Sequence, residues 1–362
     1  MQETLSQHII EARKRFPRGL EQPEGSLRFG ADALLLAAFA ALHLPPEKCA
    51  AGAASHRSTL VAELGCGCGA ALLGLAMLRP QICGLGLERE NPLVLAAESN
   101  AARLGLLDRL RFFTLDLEDA KAVATLPAPV TMPGLLPAEG ASLTLANEDK
   151  ERSPDTPRPG VTQKGITRPD TARPHTAQPA CNRLDAVLAN PPYDRGGRPS
   201  QRHMRERALR TPTGVESHKT ALDAFCGAAA TLLRHRGRFF CIYDAQALPR
   251  LCVALNTVRL GVRRILPVQS HRDEPALRVL VEARKNAAHD TVLETPLILH
   301  DAPDSNALYS TAPCNSALCG KEPCGSTSCA GGPLWSAEAL AFCPWLGDAD
   351  ASHTAANAFT AP

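Results

Sequence analysis

Thr59-Leu-Val-Ala-Glu-Leu-Gly-Cys-Gly-Cys-Gly69, followed without a break by Ala70-Ala-Leu-Leu-Gly-Leu-Ala-Met-Leu78, is an apolar strand that passes through a glycine turn directly into a helical pattern. Only glycine lets the backbone turn this tightly and approach a ligand this closely. A dinucleotide fingerprint spaces its glycines G-x-G-x-x-G. Here Gly65, Gly67 and Gly69 alternate behind an acidic residue, Glu63, which disfavours NAD or FAD. About twenty residues on, Gln81–Leu87 reads as a second strand that ends in Glu88, where a carboxylate can accept both hydroxyls of a ribose. Asp116 follows a third strand and offers an acceptor for the adenine amine of the same cofactor. Each acid taken alone reads equally as a helix cap or a solvated carboxylate.

Outward from this unit, short β-rich runs alternate with helical ones. Strands are expected at Thr59–Leu64, Gln81–Leu87, Leu110–Leu115, Leu184–Ala189, Arg238–Tyr243, Gly261–Val268 and Ala276–Ala283. Leu and Ala at helical spacing mark Ala70–Leu78, Pro92–Leu104, Lys219–His235 and Ala245–Leu255. The alternation predicts an α/β, doubly wound, seven-stranded and mostly parallel sheet with helices on both faces. The last two strands are joined by QSHRDEP without a helix, so an antiparallel hairpin is expected at one edge.

Residues 1–58 form an N-terminal segment ahead of a domain over 59–300. Ten of the thirty prolines fall between Pro127 and Pro179 with neither helical nor strand periodicity, so 121–182 is expected to be a disordered insertion. Residues 301–362 read as a C-terminal extension with a low-complexity stretch over 305–332. That stretch holds Cys314, Cys319, Cys324 and Cys329 at every fifth residue, whereas zinc and iron–sulfur sites usually include a C-x-x-C pair, so no metal is expected. The other cysteines up to Cys252 are scattered as small hydrophobes are in cytosolic proteins. The 44% of hydrophobic residues suffices for a sizeable core, and the longest apolar run, Ala33–Leu42, is too short to span a membrane. The N-terminus lacks an apolar segment of signal-peptide type, which points to the cytoplasm. Net charge is only +2, yet Arg195–Lys285 holds 18 Lys/Arg against seven Asp/Glu. A polyanionic partner and a solvated basic face are both compatible with that excess.

The segment that carries chemistry is Leu184-Asp-Ala-Val-Leu-Ala-Asn-Pro-Pro-Tyr193, a strand ending in NPPY at the edge where parallel sheets place ligands. Pro191 and Pro192 fix the backbone and hold their carbonyls in place. An aromatic amine is a poor nucleophile because its lone pair is delocalised. If the Asn190 oxygen and the Pro191 carbonyl each accept one N–H, the nitrogen is pushed toward tetrahedral geometry and its lone pair can face a sulfonium methyl. Catalysis would rest on positioning and electrostatics. Tyr193 could stack on the target base. An ordinary proline turn is the bland alternative.

Four pieces, QPEGSLRFGADALLLAAFA from Gln22, ELGCGCG, LDAVLANPPY and RGGRPSQRHMR, resemble the bacterial tRNA(Val) adenine-N6 methyltransferases over residues 15–120 and 183–300. The resemblance implies a class I methyltransferase fold with S-adenosyl-L-methionine as cofactor. It also implies that Phe29, Gly30 and Asp32 help enclose that cofactor, with Asn190 touching both cofactor and target. Without it, Asp32 reads as a helix N-cap. Ala31 stands where that family has a threonine-like residue. NPPY is shared with glutamine methyltransferases acting on release factors, guanine-N2 rRNA enzymes and DNA adenine enzymes, so it gives the chemistry and not the acceptor.

After NPPY, Asp194–Arg210 holds six arginines, among them Arg195, Arg198, Arg202 and Arg205, beside Gly196-Gly197. Such a loop can grip RNA phosphates or lie solvated. The expected partner is RNA, tRNA first, presenting an unstacked adenine. A protein glutamine methyltransferase is the rival, ranked second because only about 58 residues precede the first strand. A non-catalytic RNA-binding module ranks last, since both the glycine turn and NPPY are intact.

Overall fold

The computed structural model describes residues 2–45, 58–127, 129, 181–193, 220–301 and 335–349. Strands β1 (Thr59–Leu64), β2 (Ile82–Glu88), β3 (Leu110–Thr114), β4 (Leu184–Ala189) and β5 (Leu233–Asp244) run parallel, each preceded or followed by a helix. β6 (Leu260–Gln269) and β7 (Arg278–Lys285) form the expected antiparallel hairpin, and β7 inserts between β5 and β6. The order is β3-β2-β1-β4-β5-β7-β6-β8, so the chain reverses direction at β1 and moves outward both ways. The sequence predicts seven strands and, among the described residues, nine are found: β8 (Val292–Leu293) and β9 (Leu297–Ile298) add to β6. Two-residue strands carry no periodicity that a sequence pattern can reveal.

After helix α1 (Gln2–Lys14), helices α2 (Ala31–His43), α3 (Ala70–Leu78) and α4 (Asn91–Arg103) cover one face. On the other lie α5 (Ala120–Thr125), α6 (Ala221–Leu232) and α7 (Leu248–Thr257). Strand parity sorts the cores. Val61, Ala186, Leu188, Phe240 and Ile242 join the first, while Ala62, Leu64, Val187, Ala189, Phe239 and Cys241 join the second. All eleven have essentially no exposed surface, which is why β1, β4 and β5 read as near-continuous apolar runs.

Two boundaries differ from the sequence reading. The insertion expected from residue 121 begins later, because α5 occupies Ala120–Thr125, capped by Asp119 accepting the Ala122 N–H at 2.9 Å. Six residues with one buried side chain, Val123, leave no readable helical stripe. The helix expected to His235 stops at Leu232, and β5 starts at Leu233. The remainder of the insertion and the cysteine-spaced stretch lie outside the described residues. After it, the chain returns through α8 (Ala337–Phe342) and α9 (Leu346–Ala349), entered by a bridge from Trp335 to His300. Cys343 and Leu346 are fully buried in the first core, and the Trp345 ring meets Phe16 edge-on at 4.8 Å. Among the described residues no helix is long and apolar enough to cross a membrane.

Candidate active site

Register builds the site. β1 pairs with β2 through Leu64 and Leu87 and with β4 through Leu64 and Ala189. The residues that follow, Gly65, Glu88 and Asn190, therefore stand side by side at the carboxyl edge of the sheet, one strand spacing apart, roughly 5 Å. Residues far apart in the chain meet there because the strands carrying them end level.

Gly65, Gly67 and Gly69 have φ of +63°, +54° and +87°, so three left-handed residues alternate and coil the backbone over the strand ends. A side chain on Gly65 would strike the Phe225 ring at 2.9 Å, whereas one on Gly67 would meet nothing within 4 Å. The turn is closed on its inner side and open on its outer side. Glu88 braces it: one carboxylate oxygen accepts the Gly67 N–H at 3.0 Å and the other accepts the Glu90 N–H at 3.0 Å. Each oxygen keeps a further lone pair for a hydroxyl. Asp116 is exposed just past β3 and accepts the Glu118 N–H at 3.0 Å.

Glu63 is placed differently. Strand parity turns it under α3, where its carboxylate is 4% exposed and accepts the Leu72 N–H at 2.7 Å. Burial pushes its acid up to about 8, against the pull of that hydrogen bond and with a push from Glu88. The observed part played by Glu63 is to hold the start of α3.

The N-terminal arm reaches the same edge. Asn100, in the last turn of α4 and 1% exposed, accepts the Glu21 N–H at 2.7 Å and donates to the Glu21 and Cys68 carbonyls, both at 3.1 Å. One side chain thus ties the arm to the glycine turn. Phe29 packs against the first core with its N–H bonded to Gln22. The N-cap of α2 is Gly30 and not Asp32, whose side chain points away from the helix backbone. Asp32 Oδ2 lies 2.9 Å from the Tyr193 hydroxyl and 3.0 Å from Arg278 Nε. The Tyr193 hydroxyl also lies 2.8 Å from Asn190 Oδ1.

Arg278, at the start of β7 and 5% exposed, places its guanidinium over the Tyr193 ring, 4.6 Å from the centroid. Burial works against its charge, and Asp32, with Tyr193 and Asp244 behind it, more than offsets this and raises its pKa. Burial first, and then the charge of Asp32, lift the Tyr193 phenol well above its ordinary range, so it keeps its proton at neutral pH. Tyr243 contacts the same ring edge-on at 5.7 Å. One face of Tyr193 is therefore taken, and the base-stacking role expected of it is left to the other face alone.

Asn190, Pro191, Pro192 and Tyr193 thus share an edge with Gly65, Gly67, Gly69 and Glu88. Arg195, Arg198, Arg202 and Arg205 lie outside the described residues. Sequence reading missed Arg278, Asn100 and Phe225. Arg278 was detectable as a charge set just ahead of the apolar run Val279-Leu-Val281, and Asn100 as a poor helix former amid alanines. Among the described residues no three His, Cys, Asp or Glu side chains gather as metal ligands would.

No protein-family model matches the chain, and no curated protein matches it. Solved structures resemble it in overall shape at low identity. A predicted O-methyltransferase from Agrobacterium tumefaciens shares 17% identity over 76% of this chain and 90% of that one, with a TM-score of 0.46. A putative RNA methyltransferase from Pyrococcus horikoshii shares 13% over 78% and 98%, at 0.40. A TehB-like SAM-dependent methyltransferase from Corynebacterium glutamicum shares 10% over 79% and 100%, at 0.35.

Proposed function

We propose that this chain is an S-adenosyl-L-methionine-dependent N-methyltransferase acting on the exocyclic N6 amine of an adenine in RNA, tRNA before others. The observation that carries the reading is the register pairing of Leu64 with Ala189, which brings the end of the NPPY strand beside the glycine turn. The cofactor fits the residues present: the outer side of Gly67 is open, and Glu88 is held by two backbone N–H groups with lone pairs to spare for ribose hydroxyls. Bound there, the cofactor supplies an electrophilic methyl group on sulfur. Phe29 and Gly30, on the arm riveted by Asn100, close over it, and Asp116 takes the adenine amine.

On the target side, Asn190 Oδ1 and the Pro191 carbonyl accept the two N–H bonds of the amine and turn its lone pair out of the ring plane. Burial beside apolar strand ends strengthens both hydrogen bonds by excluding water. Arg195, Arg198, Arg202 and Arg205 would hold the RNA backbone. The test is to incubate the protein with methyl-labelled cofactor and total RNA, and separately with release factors, and to digest what becomes labelled. N6-methyladenosine is expected from the RNA. Methylglutamine or N2-methylguanine would replace the adenine assignment, and no label in any fraction would overturn the reading. Asn190→Ala should lower transfer at least 100-fold, about 2.7 kcal/mol of transition-state stabilisation, with cofactor affinity kept. Wild-type turnover in that variant would remove the proposed acceptor site.

A further inference from the structure

The Tyr193 hydroxyl has one hydrogen and two acceptors within reach, Asn190 Oδ1 at 2.8 Å and Asp32 Oδ2 at 2.9 Å. A carboxylate accepts more strongly than an amide, and Arg278 lies on the same carboxylate oxygen and over the same ring. The phenol is buried and keeps its proton, so the competition is between acceptors and not between charge states. With the hydrogen on Asp32, the phenol oxygen offers a lone pair to Asn190. A half-turn of the Asn190 amide exchanges Oδ1 and Nδ2 with no change of shape, and places an N–H donor against that lone pair.

We infer that Arg278, Asp32 and Tyr193 form a directional relay that fixes the Asn190 amide with its nitrogen toward Tyr193 and its oxygen toward the target amine. This rests on the amine-acceptor reading of Asn190. Asp32 and Arg278 are positioning residues in this scheme. They act through Tyr193 and touch neither methyl nor amine. The carboxylate sets the direction in which every hydrogen bond of the chain points. Asp32→Asn removes that bias: Arg278 Nε–H keeps the amide oxygen at the shared position, so the hydroxyl is left between two neutral acceptors, and whenever it donates to Asn190 the oxygen needed by the amine is occupied.

The consequence is an unusual order of defects. Asp32→Asn, an isosteric change, should lower methyl transfer to total RNA by roughly three- to tenfold, the difference between a charged and a neutral acceptor. Tyr193→Phe, which removes the hydroxyl and lets the amide turn either way, should cost less. The double variant should recover to the level of Tyr193→Phe alone. A structural role for Asp32 would give a double variant no better than Asp32→Asn, and that result overturns the relay. Arg278→Lys keeps the charge and should show a smaller defect that Tyr193→Phe likewise masks.

Urea unfolding of the substrate-free protein provides an arm independent of activity. If the hydroxyl donates to Asp32, the midpoint shift of the double variant is smaller than the sum of the two single shifts. Additive shifts overturn the relay even in an active enzyme. A wild type that labels no RNA would sink the acceptor reading while the urea arm still decides the relay. Weakened binding of sinefungin, a cofactor analogue, to Asp32→Asn would make Asp32 a cofactor contact and also overturn it.

Discussion

Glu63 and Glu88 stand on neighbouring strands, yet their environments make them different acids. Glu88 is braced by the Gly67 and Glu90 N–H groups at the open edge, while Glu63 is sealed beneath α3 with its acid pushed up to about 8 from an ordinary 4.5. A folded-state pKa raised above the unfolded one means that the folded protein holds a proton the unfolded chain releases. The stability so contributed is complete below about 4.5 and declines as pH rises through about 8. Glu63→Gln keeps an oxygen for the Leu72 N–H and removes the titration. Urea midpoints of the wild type should therefore fall between pH 5 and 8 more steeply than those of Glu63→Gln, and parallel curves would refute the assignment. The sequence placed both acids correctly along the chain. What it did not show is direction, although strand parity, which pairs Glu63 with Val61 on the face under α3, contained that information. Asp32 was legible as a site residue only through its neighbours in the chain, and its partners Tyr193 and Arg278 lie 161 and 246 residues away.

Among elements, the hairpin β6–β7 differs most from its sequence appearance. The basic half of the chain suggested a charged outer surface, but much of that charge is spent inside the fold. Glu282, 1% exposed on β7, receives Arg238 at 2.8 Å, Arg284 at 2.9 Å and Arg264 at 3.6 Å. Arg278 is likewise buried against Asp32, while Arg234 with Asp185 and Arg263 with Asp290 pair nearer the surface. Such convergence is invisible to composition because it depends on the register of β5, β6 and β7. Glu282→Gln would leave three guanidinium groups facing one another with Glu294, which pairs with Arg264, as the remaining carboxylate of the cluster. A loss of about 3 kcal/mol is expected, at the low end for a broken buried pair because the arginines keep some contact with water. An unchanged urea midpoint for this variant would show that the cluster is better solvated than its burial indicates. The helices and long strands were read to within a few residues because their apolar patterns are long. The α6–β5 boundary was not, since Leu232 and Leu233 continue either pattern.

At the scale of the molecule, a sheet covered on both faces was predictable from strand–helix alternation, whereas the order of its strands emerges only from their pairing. The closing of the first core was not predictable either. Residues 335–349 follow the cysteine-spaced stretch within the expected extension, yet they bring Leu346 and Cys343 into full burial against the layer containing α2 and α3. This part of the expected extension belongs to the core. Leu346→Ala should cost about 3 kcal/mol, read as a lower urea midpoint with unchanged slope. A neutral result would show that the C-terminal helices rest on the domain without supporting it.

The Asn100 side chain has a consequence for how this architecture can be altered. One amide passes through three segments as a pin does through a hinge, fastening the arm at Glu21, the coil at Cys68 and its own helix. The two outer parts therefore cannot drift separately, because any change in the curvature of one must be answered by the other. A grafted loop without its arm would arrive at a new scaffold unfastened.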